Sequence, residues 1–296
     1  MVGPIPMNAN EFIEQQLDER AEAVEQQTES DTIALIGPIL LGVDDIIRNI
    51  VERKRQSAPN RNRLTVILTT RGGYIEVVQR IVETMRHHYD YVDFVIPNYA
   101  FSAGTVLVMS GDAIYMDYYS RLGPIDPQVE VRGGGSVPAL GYLIQYERLL
   151  EKAKKGDITT AETQLLIDGF DQAELYVYEQ ARELSVSLLR EWLVKYKFKN
   201  WKTTETRKKP VTEEMRAERA EDIARELNRT DRWHTHGRGI SMEILQQDLR
   251  LKIDDFGANP PLNDCIKQYY NLLSDYVIRR GNTGVMHTVG TYLPFA

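Results

Sequence analysis

Between residues 32 and 116 the chain alternates short apolar, β-branched runs with stretches whose apolar residues recur at helical spacing. Residues 32–39 form a first run, closed by Gly37-Pro38. Residues 64–69 form a second, halted by Arg71-Gly72-Gly73, and residues 92–96 and 113–116 a third and a fourth. Between them, Val43, Ile46, Ile47, Ile50 and Val51 mark one helical face, and Ile75, Val78, Ile81, Val82 and Met85 mark another. Period 2 and period 3.6 cannot share one element, so each run is a strand and each intervening stretch a helix. Strands that are apolar throughout are covered on both faces, and strand–helix–strand order with short connections builds a parallel sheet with right-handed crossovers. The expected fold is therefore α/β.

Outside this region the pattern changes. Residues 8–31 are rich in Glu, Gln and Asp with sparse apolar positions, which suits an acidic arm, mobile or helical, rather than core. Gly133-Gly134-Gly135 reads as a flexible loop, and residues 137–197 as helical, with a capping start at Thr159-Thr160-Ala161-Glu162. Residues 203–210 are a polar break, 212–227 a charge-rich helix too polar for core, and further helices are expected near 241–248 and 262–278. The expected division is an N-terminal arm over 1–31, a core over 32–200 and a mainly helical C-terminal extension over 201–296.

Composition narrows the function classes. A formal charge of −7 over 296 residues opposes nucleic acid as the main partner, since phosphate binding needs clustered positive charge. The basic stretches around 195–202 and 207–209 sit among carboxylates and suit a solvated face. No apolar run approaches the ~18 residues of a membrane helix, and residues 1–10 lack the basic-then-apolar order of a secretory signal. Cys265 is the only cysteine, which excludes an internal disulfide and a cysteine-based zinc site. A cytoplasmic protein without metal or cofactor is the expectation.

Two segments carry chemistry. In Arg71-Gly72-Gly73-Tyr74, paired glycines between a strand end and a helix start let the backbone approach a ligand and offer free amides to an anion; a tight turn needing positive φ explains them equally. In Ala100-Phe101-Ser102-Ala103-Gly104-Thr105, a serine follows a strand and opens a helix of small residues. Taken alone it reads as a helix N-cap. Taken together, the two segments occupy equivalent points of consecutive strand–helix units, at the carboxyl edge of a parallel sheet where such folds bind ligands. That pairing makes Ser102 a nucleophile beside a Gly72-Gly73 amide, half of an oxyanion hole.

These motifs resemble the Clp-protease/crotonase superfamily, and most closely the serine dehydrogenase proteinase family, related to signal peptide peptidase A. The resemblance rests on the two segments above and on Leu122-Gly123-Pro124-Ile125-Asp126-Pro127-Gln128. It implies a Clp-protease/crotonase-like parallel-sheet spiral core with a helical C-terminal extension. It also implies peptide-bond hydrolysis through a Ser102 acyl-enzyme, with an oxyanion hole from the amides of Gly73 and Ala103 beside Gly72, and assembly into homo-oligomers. The acidic arm or residues 203–232 would dock a protein partner.

A serine needs a base. Clp proteases supply a histidine after the Pro/Gly segment; here residues 122–128 hold none. Signal peptide peptidases use a later lysine, and Lys152, Lys154 and Lys155 occupy a suitable stretch, Lys155 beside Gly156 aligning best; the same run also reads as a solvated helix face. His236, in a segment dense with functional residue types, is a rival base or binding residue, and Asp126 either orients a base or fixes a turn. Competing functions are a crotonase-type acyl-coenzyme A enzyme, which shares the fold without needing the serine, and an inactive oligomeric scaffold.

Overall fold

The structure, a computed structural model, describes residues 8–125, 128–130, 136–204, 207–233 and 238–295. The expected alternation is present from β1 (Asp31–Ile36) through α2 (Val43–Ser57), β2 (Arg63–Thr69), α3 (Ile75–His88) and β3 (Tyr91–Val95) to β5 (Ala113–Met116). Between β3 and β5 the chain inserts a two-residue strand β4 (Tyr99–Ala100) and the short helix α4 (Ala103–Val108). Helix α1 (Ala9–Thr28) precedes them all.

Strands β1, β2, β3 and β5 pair in parallel in the order β5-β3-β2-β1, with Ile33 opposite Val66 and Val66 opposite Phe94. Alternate residues of each strand point to opposite faces. Ile33, Leu35, Leu64, Val66 and Leu68 face Ile47, Ile50 and Val51 of α2 and Val78, Ile81 and Val82 of α3. Ala34, Ile67 and Val95 face the other way, onto Leu17, Ala21 and Val24 of α1 and onto Ile266, Tyr269 and Leu273 of α11 (Pro260–Arg279). The continuous apolar runs thus have the two covered faces they imply.

Two regions differ from the sequence expectation. The segment read as an arm is a capped helix whose Leu17, Ala21 and Val24 are fully buried, with Asn8 and Glu11 closing a capping box. Glu11, Glu19 and Glu22 lie on its exposed side, and the core-facing stripe is thin and partly made of alanine, so mean polarity hides it. The C-terminal region contains α8 (Glu213–Leu227), α10 (Met242–Gln247) and α11, but it also completes the sheet. Strand β10 (Asp254–Asp255) adds in parallel beside β5, while β11 (Gly284–Thr288) pairs antiparallel with β1 and β12 (Thr291–Phe295) with β11, giving seven strands. Helix α8 is not all surface either: Ala220, Ile223, Ala224 and Leu227 are buried.

The helical middle consists of α5 (Ala139–Lys155), α6 (Thr160–Asp168) and α7 (Gln172–Trp192), which runs into a π-helical turn, Leu193–Lys197. Thr159 caps α6 with Glu162 in the expected capping box. Leu188, Leu189 and Trp192 at the end of α7 join the main core. A small sheet, β4-β6-β9, with β6 (Arg121–Leu122) and β9 (Ile240–Ser241), crosses the carboxyl edge of the main sheet. Among the described residues no helix is long and apolar enough to cross a membrane, and no group of acidic, His and Cys residues is arranged to hold a metal ion.

Candidate active site

The two glycine- and serine-bearing segments meet because β4 leaves the main sheet and pairs with the residue after β2. Thr70 donates its amide to the Tyr99 carbonyl (3.1 Å) and accepts the Phe101 amide (3.0 Å). The chain on either side of that bridge is Arg71-Gly72-Gly73 on one strand–helix unit and Phe101-Ser102-Ala103 on the next. Gly72 has φ +101°, and a Cβ there would lie 2.8 Å from the Phe101 carbonyl oxygen and 2.9 Å from the Ser102 Cβ. Gly73 has φ +154°, and a Cβ there would lie 2.0 Å from the Ile39 oxygen. Both glycines are thus dictated by close approach, one of them directly against Ser102.

Ser102 is buried, with 7 % of its surface exposed. Its backbone sits at φ 54°, ψ −123°, and its side chain caps no amide of α4. An N-cap serine has a β-region backbone and accepts from an amide of its own first turn; Ser102 does neither, so the cap reading fails. A non-glycine residue in so sparsely populated a conformation costs about 1–3 kcal/mol and persists only where its surroundings over-determine it. Those surroundings are hydrogen bonds on both sides: Phe101 accepts from Gly104 (2.8 Å), and the Ser102 carbonyl accepts from Thr105 (2.8 Å) and Val106 (3.2 Å).

Three amides border the serine. That of Gly72 is taken by the Thr70 hydroxyl (3.0 Å). Those of Gly73 and Ala103 donate to no group among the described residues, although the carbonyl before Gly73 accepts from Ile39 (2.9 Å) and the next amide, Tyr74, donates to Ile39 (3.0 Å). Ala103 is buried whereas Gly73 is exposed, so among the described residues it is the Ala103 amide that lacks the partner a buried backbone donor nearly always has.

The lysines occupy the last turn of α5. Lys152 forms an ion pair with Glu162, and Lys154 pairs with Glu151 at 2.8 Å. The hydrogen bond and charge of Glu151 push the Lys154 amine upward, and Lys152 with the Thr159 cap holds Glu162 down at about 2. Lys155 is exposed, and its amine makes no hydrogen bond or ion pair with the described residues. His236 and Asp126 lie outside the described residues.

Comparison with known proteins bears on this geometry. The family model described as ClpP-like SDH-type serine proteinase matches residues 16–214, about two thirds of the chain. The chain belongs to that family. Two uncharacterised proteins of Methanocaldococcus jannaschii are similar to it. One is 30% identical over 129 residues, spanning 42% of this chain and 40% of its own, and the other 28% over 155 residues, spanning 48% and 49%. The match therefore spans less than half the length of these curated relatives. Among solved structures, the chain resembles a 1510-N membrane-bound stomatin-specific protease (18% identity, TM-score 0.32, 50% of this chain and 73% of that one). It also resembles ClpP1 from Listeria monocytogenes (13% identity, TM-score 0.41, 81% and 94%).

Within this family member, the sequence reading missed two hydroxyls that build the site. Thr70 supplies the bridge to β4 and fixes the Gly72 amide, and Thr105 is fully buried between three backbone groups. Thr105 closes the serine-bearing segment and Thr70 stands two positions before Gly72, but nothing in either place marks a hydroxyl that ties backbone together.

Proposed function

We propose that the protein is a serine peptidase that cleaves polypeptides through an acyl-enzyme on Ser102. One observation carries this reading: a serine at φ 54° that does not cap its own helix, set against Gly72 and bordered by amides of Gly73 and Ala103 that donate to no described residue. Strain of this kind is concentrated at functional sites. Membership of a serine proteinase family supports the same chemistry.

In this reading the Ser102 Oγ attacks the scissile carbonyl carbon while its proton passes to a base. The negative charge that develops on the carbonyl oxygen is held by the Gly73 and Ala103 amides, where preorganised donors stabilise the transition state more than the substrate. Gly72 contributes by its missing side chain. Collapse of the tetrahedral intermediate breaks the C–N bond, the leaving amine takes the proton, and water then hydrolyses the ester.

For the base we retain a lysine at the end of α5, with Lys155 first because no carboxylate of the described residues pairs with it. An amine serves as base only when desolvated. The reading therefore requires that substrate or a second copy of the chain enclose that turn; polypeptide binding and self-assembly belong to the same proposal.

The test uses the intact protein with a fluorophosphonate probe and an unfolded protein substrate. Labelling and hydrolysis are expected, both lost in Ser102→Ala. A folded protein that stays unlabelled, or a Ser102→Ala variant that still labels, overturns the proposal. Replacing Lys152, Lys154 and Lys155 together with alanine is expected to slow labelling at pH 7 by about 10²-fold or more; an unchanged rate rejects the lysine and leaves Ser102 standing.

A further inference from the structure

Thr105 has no surface exposure, and its hydroxyl sits where three chain segments cross. Thr105 Oγ1 donates toward the Ala100 carbonyl (2.8 Å) and the Gly123 carbonyl (2.9 Å), and it accepts the Gly123 amide (3.0 Å). The same Gly123 amide lies 3.1 Å from the Ala100 carbonyl. One hydroxyl hydrogen is therefore shared between two carbonyls, and one amide hydrogen between the hydroxyl oxygen and the same Ala100 carbonyl.

Sequence order turns this knot into a clamp. Ala100 stands before Ser102, at the end of β4; Thr105 stands after it, in the first turn of α4. The Thr105 amide holds the Ser102 carbonyl at 2.8 Å while its hydroxyl reaches back across the elbow to Ala100. One residue thus grips both sides of the strained φ 54°, ψ −123° position. Without the hydroxyl, two buried carbonyls lose a donor and the elbow loses its backward tie. Ser102 could then relax into the β-region backbone of an ordinary N-cap, its oxygen turned onto the amides of its own helix.

We propose that Thr105 is the positioning residue that keeps Ser102 in the φ 54°, ψ −123° elbow and out of the capping conformation. Its kinetic consequence rests on the reading of Ser102 as nucleophile; its structural consequence does not, and the two are tested separately.

The structural arm compares Ser102→Gly with Ser102→Ala, alone and combined with Thr105→Val. Glycine adopts φ 54° without strain and alanine does not. With Thr105 present, Ser102→Gly is expected to melt about 2 °C above Ser102→Ala. With Thr105→Val the elbow is released, and the gap is expected to vanish or reverse. An equal gap in both backgrounds overturns the proposal.

The kinetic arm measures fluorophosphonate labelling against pH. Thr105→Val is expected to lower the plateau about 10- to 100-fold, the effect of a misplaced nucleophile, without moving the midpoint. Thr105→Ser, which restores the hydroxyl, is expected to recover most of the rate. Parent-like labelling of Thr105→Val, or no recovery in Thr105→Ser, overturns the proposal. An unlabelled parent protein instead rejects the nucleophile, and the melting gap still decides Thr105. Thr105→Ala, which removes the hydroxyl without adding bulk, serves both arms where Thr105→Val does not fold.

Discussion

Gly72 and Ser102, thirty positions apart, are in backbone-to-side-chain contact: a Cβ on the glycine would lie 2.9 Å from the Cβ of the serine. The contact exists because the residues follow neighbouring strand–helix units, tied together where Thr70 pairs with Ala100. It makes the glycine part of the serine's environment rather than a turn residue that happens to precede a helix.

Gly72→Ala is the direct probe of that contact. The new methyl would meet the Phe101 carbonyl oxygen at 2.8 Å as well as Ser102, at a φ of +101° that alanine resists. Backbone on two sides cannot swing away as a flexible side chain would. The expected result is a destabilisation of about 2 kcal/mol or more in urea unfolding. Labelling of Ser102 is expected to fall about 100-fold, because the elbow is pushed from its position. A variant that labels at the parent rate would show that the glycine serves the turn alone.

How much of this was legible before the structure depends on how local the cause is. The strands β1, β2, β3 and β5 and the helices between them announce themselves by period, because both faces of each strand and one face of each helix are apolar. The pairing of Gly72–Gly73 with Ser102 was readable from their equivalent places in consecutive units. The strain at Ser102 was not, since its neighbours are tied by tertiary placement, Thr105 to Ala100 and Gly123 and Phe101 to Thr70. Hairpin β11–β12 was hidden for the same reason: its strands are completed by pairing with β1, some 250 positions earlier. The lysines show the converse. Their spacing suited a base, yet a run of three cations beside Glu151 also suits a solvated helix end, and Lys152 and Lys154 hold carboxylates there.

Lys197 offers a test by pH, remote from the serine. It ends the π-helical turn, and its Nζ donates to the Asp112 carbonyl at 3.3 Å. Burial pushes its amine down to about 8, against the pull of Asp254, Asp93 and Asp112 and with some help from Lys252. The folded chain therefore loses this proton before the unfolded chain does. Below pH 8 both states carry it and the whole penalty applies. As pH rises from 8 toward 10.5 the unfolded chain binds more protons, so this group's contribution to stability increases. Lys197→Met keeps the apolar stem and removes the charge. It is expected to stabilise the protein at pH 7 by on the order of 1–2 kcal/mol, with the advantage fading above pH 8 in denaturation curves taken across that range. A gain independent of pH would trace it to packing alone.

The first helix decides between an appendage and a structural layer. Leu17, Ala21 and Val24 are fully buried and face Ile266, Tyr269 and Leu273 of α11 across the second face of the sheet. The polar side is equally engaged: Glu25 holds Lys54 at 2.6 Å and Arg61 at 2.8 Å, Glu14 accepts from the Tyr276 hydroxyl at 2.8 Å, and Asp18 takes the Gly290 amide at 2.8 Å. Leu17→Ala removes a fully enclosed side chain and is expected to cost about 2–5 kcal/mol, the range for such cavities. Removing residues 1–28 is expected to do more, because it exposes the apolar stripe of α11, takes Glu25 from Lys54 and leaves Arg61 with Asp31 alone. Such a chain should bind a hydrophobic dye and lose its cooperative melt. A truncated protein that melts like the parent and still labels at Ser102 would return residues 8–28 to the role of a dispensable arm.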